Sequence, residues 1–292
     1  MGRIATRIEE QIEILKKRGM ELDYSHGKTK EILYDIGYYR LGFYWNPFEV
    51  DEDHNFESGT KFSTAVKLYY LDVDLRNLLV RYINRIEINF RTNVIYLVSN
   101  KYKSSPTWFI DPDVVEQEYI DNIDKHYNDR FKNDNKPIKL HHKKYLNDKY
   151  APAWKTLEFF TFGAILKIYS SLKDEEMQKR IAGKYGVINI KKFKNLINTM
   201  VFVRNACAHG NVIFDLKTPK GISSLPALNF HNGDRHSLRS AVLVILYFLD
   251  QISQNRKKEL EKEFDNLIEK NCEDPVLKKI IETKMGCVLE KN

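Results

Sequence analysis

The chain has 292 residues, 42% hydrophobic and 30% charged, enough to bury the core of one large domain or two small ones and unlike a disordered composition. Thirteen Gly and 8 Pro are too few for the turns of a many-stranded sandwich or barrel, so the fold reads as all-α. The net charge of +7 is concentrated: residues 121–200 hold 17 Lys/Arg against 9 Asp/Glu, which fits either a polyanionic partner such as a nucleic-acid backbone or a solvated basic loop.

Three cysteines, Cys207, Cys272 and Cys287, have no CxxC pairing and form neither a disulfide framework nor a zinc site, as expected of a cytoplasmic protein. The longest apolar run, Ala241 to Leu249, is about half of what a membrane span needs and reads as a buried helix. Met1-Gly2-Arg3-Ile4-Ala5-Thr6 fits a myristoylation pattern, but it leads straight into an amphipathic helix and is read as coincidence; no signal peptide is expected.

In chain order, Ile8, Ile12 and Leu15 share a stripe that predicts a helix from Ile4 to about Leu22, ending near Gly19. Residues 36–48 are dense in aromatics broken by Gly and Pro, the composition of a packed corner more than of a stacking surface. Over residues 62–99, Leu68, Leu71, Leu75, Leu78, Leu79, Tyr82, Ile83, Ile86 and Phe90 recur at helical spacing. The other faces carry Arg76, Arg81, Arg85, Glu87 and Arg91, and Glu87 four before Arg91 reads as a surface pair. Residues 100–152 are polar and hold four prolines, predicting short helices and loops inserted between core helices. Within them His141-His142 reads as a wet basic surface. Apolar character returns at Ala153, with helices expected through Ile165–Tyr169 and from about Ile190 to Val203. Residues 211–233 read as irregular. Ser237 is placed to cap an apolar helix over 238–252, followed by a charged helix over 255–269 and a short tail. One all-α domain over 1–292 is therefore expected: an N-terminal helix and aromatic segment (1–60), a helical core (61–255) with its insertion near 100–152, and a charged C-terminal helix and tail (256–292).

The residues best suited to chemistry are Arg204, Asn205 and His209, in Val203-Arg204-Asn205-Ala206-Cys207-Ala208-His209-Gly210. Spacing alone is weak, since 14 arginines and 8 histidines give about 0.4 chance matches to R-x4-H in this chain. Context adds weight. Arg204 falls one turn after Met200, where a core stripe would continue with a hydrophobe, and a cation there needs a partner. Asn205 and His209 share a helix face, and Gly210 offers a stop. A histidine at a helix end can equally serve terminal carbonyls. Such a set suits metal-independent RNA cleavage. Imidazole titrates near neutrality and can move a proton for 2′-hydroxyl attack, while guanidinium grips the phosphate. One imidazole seldom serves as both acid and base, and no other arginine has a histidine at this spacing. A homodimer would bring two copies together.

Around these residues the chain resembles the HEPN superfamily, marked by an Arg, usually a polar residue, and a His four to six positions on. More specifically it resembles the AbiD/AbiF-like abortive-infection (Abi_2-type) proteins of bacterial phage defence. The match rests on Glu10-Gln11-Ile12 with Leu15 to Gly19; Tyr38-Tyr39-Arg40-Leu41 with Pro47-Phe48; Leu68 to Asp72, Leu75-Arg76, Arg85-Ile86-Glu87 and Arg91-Thr92; and Trp154 to Glu158 with Phe162-Gly163. It spans roughly residues 8–255. The resemblance implies an all-helical HEPN-type bundle and a dimeric, cofactor-free endoribonuclease that leaves 2′,3′-cyclic phosphate ends and arrests an infected cell. Its catalytic residues would be Arg204, Asn205 and His209, supported by a polar patch of Glu87, Arg85 and Arg91. No metal site and no membrane association are expected, whereas a small RNA or a protein is conceivable as inhibitor or guide. The segment Gly210-Asn211-Val212-Ile213-Phe214 lacks the basic, tryptophan-containing tail that family members carry after the histidine, which leaves the cleft's shape open. The alternative is a non-catalytic module that binds RNA or a protein, with Arg204 as anchor. A weaker third reading is a purely structural bundle.

Overall fold

The computed structural model describes residues 4–287, so the first half of the myristoylation-like pattern and the end of the tail lie outside the described residues. The described residues contain fourteen α-helices and no strands, in agreement with the all-α expectation. They are α1 (Ile8–Lys17), α2 (His26–Asp35), α3 (Tyr38–Trp45), α4 (Phe62–Lys101), α5 (Gln117–Ile120), α6 (Asp129–Asp134), α7 (Lys136–Lys144), α8 (Ala153–Thr156), α9 (Phe162–Ser171), α10 (Glu175–Gly183), α11 (Ile190–Ala208), α12 (Leu238–Ile252), α13 (Gln254–Asn271) and α14 (Pro275–Ile280).

The organising element is α4, 40 residues and so about 60 Å long. It contains neither Gly nor Pro, and every residue of the expected stripe from Leu68 to Phe90 is buried. Its first turn borrows a cap from afar, for Ser63 N–H donates to Asp23 Oδ1 at 3.0 Å. α4 packs against α3, α11, α12 and α13, which places the motif helix α11 along the spine of the bundle. Phe90 stands at the junction, with its ring against Phe162, Tyr169, Tyr185 and Phe193.

Ser237 caps α12 as expected, accepting from Ser240 N–H. The aromatic segment is helical, and it divides by face. Tyr44, Trp45 and Phe48 form the packed corner, whereas Tyr39 and Phe43 are exposed. Sequence periodicity missed α2, α10 and α14, short helices that start at Ser25, Asp174 and Asp274 caps. Two expectations need correction. Arg76, Glu87 and Arg91 are buried, so Glu87–Arg91 is no surface pair. His141 is buried too, its Nε2 3.0 Å from Asp148, and His142 Nε2 lies 2.8 Å from the Tyr127 hydroxyl. α7 packs on α6 and α8; His141 is turned inward, while His142 is half-buried against Tyr127.

Candidate functional site

Helix α11 starts at Asn189, whose side chain accepts from Lys192 N–H, and runs on a buried stripe of Phe193, Leu196, Ile197, Met200 and Val203. It closes in a Schellman turn. Gly210 takes φ +67°, its N–H donates to Cys207 O at 3.2 Å, and Asn211 N–H donates to Ala206 O at 2.9 Å. The backbone thereby satisfies the end of the helix by itself. His209 is exposed at the helix cap and makes no side-chain hydrogen bond among the described residues, so terminal-carbonyl service does not account for it. Cys207, inside the motif, is buried, and that burial pushes its thiol up to about 12, which removes it as a nucleophile.

Arg204 has the partner that its position demands. Its Nε lies 3.4 Å from Glu87 Oε2, and its side chain remains 29% exposed against 6% for the carboxylate. Its Nη1 also donates to Asn205 Oδ1 at 3.2 Å. The other oxygen of Glu87 accepts from Arg91 Nη2 at 2.8 Å, and Arg91 Nη2 donates as well to Phe160 O at 2.9 Å. Glu158, largely exposed, is 3.9 Å from Arg91. The structure therefore joins Glu87, Arg91, Arg204 and Asn205. Arg85 is exposed and forms no ion pair among the described residues, so it does not join this group.

Asn205 and His209, four apart, stand on one face and are both exposed. Arg204 and His209 are five apart, which in a helix means about 140° around the axis and about 7.5 Å along it. They adjoin one helix end without sharing a face.

A second polar cluster holds the chain just after the motif. Arg40 Nη2 donates to Gly210 O, and Arg76 Nη1 donates to Asn211 O at 3.1 Å. Asp72 Oδ1 accepts from Ile213 N–H at 2.9 Å and Phe214 N–H at 2.7 Å, while its Oδ2 pairs with Arg76 and accepts from the Tyr44 hydroxyl at 2.9 Å. Full burial raises the Asp72 carboxyl above its ordinary value, against Arg76 and the hydrogen bonds, which lower it. Burial likewise lifts the Tyr44 phenol to about 12. Sequence reasoning gave these residues no role. Arg76 looked like an ordinary polar-face residue, since the backbone groups that these side chains hold after the motif lie more than 130 positions away.

Among the described residues no group of three or more His, Cys, Asp or Glu could hold a metal, and no helix is long and apolar enough to cross a membrane. Three surface hollows, bordered by Ile8 and Tyr34, by Arg239 and Glu282, and by Arg81 and Glu263, include none of the motif residues.

Fold and site thus define an all-helical protein with an arginine–asparagine–histidine motif at the exposed end of a core helix. The family described as Abi-like protein matches residues 31–215, more than half the length, and the chain belongs to that family. Membership suggests a part in abortive infection, a defence against phage. No curated protein and no solved structure matches the chain.

Proposed function

We propose that this protein is a HEPN-type, AbiD/AbiF-like endoribonuclease of abortive infection, cleaving RNA in the cytoplasm through 2′-hydroxyl attack without a metal. The observation that carries the reading is the contrast within one helix end: Arg204 is tethered on one side by buried Glu87 and open on the other, and His209 is exposed with its ring uncommitted. In this reading His209 moves the proton, Arg204 binds and offsets the charge on the scissile phosphate, and Asn205 orients one or the other. The half-turn between Arg204 and His209 favours a site completed by a second copy across a two-fold axis, so that each phosphate meets groups from both protomers. A small RNA or a protein covering this end would silence it.

The test is purified protein against total RNA in EDTA, parent beside His209→Ala and Arg204→Ala. The parent should yield fragments with 2′,3′-cyclic phosphate ends, and both variants should lose them while keeping the parent's melting temperature. Equal cutting by His209→Ala would end the proposal. The Arg204–Glu87 ion pair favours a second reading, a non-catalytic RNA-binding module. It predicts salt-sensitive binding without cleavage, weakened more by loss of Arg204 than of His209.

A further inference from the structure

We infer that Arg40, Asp72 and Arg76 are positioning residues for His209, an inference that rests on the ribonuclease reading of the motif. Residues 210–214 leave α11 without regular structure of their own, yet four of these five have a backbone group bound by a side chain from α3 or α4. Arg40 holds Gly210 O, Arg76 holds Asn211 O, and Asp72 holds the N–H groups of Ile213 and Phe214. Asp72 is fully buried and Arg76 nearly so, and the Tyr44 hydroxyl bonds to both, which fixes their rotamers.

The fixed segment begins at the residue after His209, whose own backbone is the last turn of α11. An imidazole with no side-chain bond of its own depends on that backbone for its place. The same helix, α4, also supplies Glu87, which holds Arg204. Glu87 and Asp72 are 15 positions apart, about 22 Å along α4, and they grip the chain before and after the motif's end. α4 therefore acts as a common ruler for both halves of the motif. A fold needs no such dense clamp merely to leave a helix, since the Schellman turn already does that.

The test uses the full chain and three variants, Arg40→Ala, Arg40→Lys and Asp72→Asn. Arg40 is only half-buried, so its loss leaves the core intact. Single-turnover cleavage of a single-stranded RNA oligonucleotide in EDTA should fall about tenfold or more in kcat for Arg40→Ala, with KM within about twofold and the parent's melting temperature, because a small misplacement of a reacting group is costly. Arg40→Lys should recover much of the loss, since an ammonium can still donate to the Gly210 carbonyl. The His209 imidazole carbon–proton NMR signal should shift in Arg40→Ala and return in Arg40→Lys. In Asp72→Asn the Ile213 and Phe214 amides should exchange faster. A rise in KM at unchanged kcat would place Arg40 on the RNA and overturn the inference, as would unchanged cleavage with an unmoved His209 signal. If the parent itself cuts no RNA, the ribonuclease reading fails separately. The NMR comparison still decides positioning, a shift supporting it and its absence refuting it. If Asp72→Asn does not fold, the Arg40 pair decides alone.

Discussion

Glu87 offers the most quantitative test of how the site is built. Its carboxylate is 6% exposed and is shared by two guanidiniums, Arg91 at 2.8 Å and Arg204 at 3.4 Å. Glu87→Ala would strand Arg91, whose side chain is only 11% exposed, and the nearest other carboxylate, Glu158, is 3.9 Å away and largely in water. Removing one partner of a buried pair costs about 3–5 kcal/mol. Arg91 keeps its bond to Phe160 O, and Arg204, 29% exposed, can turn to solvent, so the lower end of about 3 kcal/mol is expected. For a chain of 292 residues that is a fall of about 5 °C in Tm. Glu87→Gln keeps one acceptor oxygen and should cost about half as much. Urea titrations of parent, Glu87→Gln, Arg91→Gln and the double variant form a cycle. Its coupling energy should exceed about 1 kcal/mol, and the Arg204→Gln cycle should be smaller. Cycles with Arg91 and with Arg204 that both close near zero would show that the carboxylate is a passive filler, and the account of how Arg204 is held would fail.

Three further outcomes follow from other parts of the fold. Lys101 beside Asp174 holds that carboxyl below the ordinary range, and Asp174 also caps α10 by accepting from Met177 N–H at 3.1 Å. A folded value below the unfolded one means stability present above about pH 4 and lost as pH falls through the folded value. Asp174→Ala should therefore cost about 1 kcal/mol at pH 7, with the gap closing on acidification in chemical melts. Gly210→Ala meets no neighbour within 4 Å of the added carbon, but φ +67° disfavours a side chain, so a loss of about 1 kcal/mol is expected with no new clash. Burial lifts the thiols of Cys207 and Cys287 to about 12, so iodoacetamide at pH 8 should leave both unmodified in the native protein while labelling them in urea, as read by peptide mass.

The parts of this fold legible in the sequence are those governed by local repetition. The α4 stripe, the apolar α12 with its Ser237 cap and the stop at Gly210 each depend on residues within a few positions of one another, and all three stand as read. What was not legible depends on distant partners. Arg76, Glu87 and Arg91 look like the polar side of an amphipathic helix until Asn211, Arg204 and Phe160 arrive to cover them. His141 fails the same way, because a basic neighbourhood such as Lys143-Lys144 gives no hint of Asp148 folding back onto the ring. In the motif, sequence alone placed Asn205 and His209 on one face and marked Arg204 as a cation in need of a partner. The identity of that partner required the fold, and Arg85, expected in the supporting patch, lies outside it.

The charge around the end of α11 bears on the RNA substrate proposed above. Buried Glu87 answers two arginines, Arg91 and Arg204; buried Asp72 has Arg76 as its ion pair, while Arg40 next to it spends its charge on a neutral carbonyl. Each cluster thus carries one more guanidinium than buried carboxylate, and among the described residues the one further carboxylate within 4 Å of these arginines is exposed Glu158, beside Arg91. A helix C-terminus adds a partial negative charge, but it is about half an electron and is screened beyond the last turn. An excess of fixed cations on rigid helices, beside an imidazole left open to solvent, is a costly arrangement for a fold that needs only stability, because each uncompensated guanidinium must stay hydrated or find an anion. On the ribonuclease reading proposed above, the guanidinium left open to such an anion is that of Arg204, while Arg40 stays on the Gly210 carbonyl.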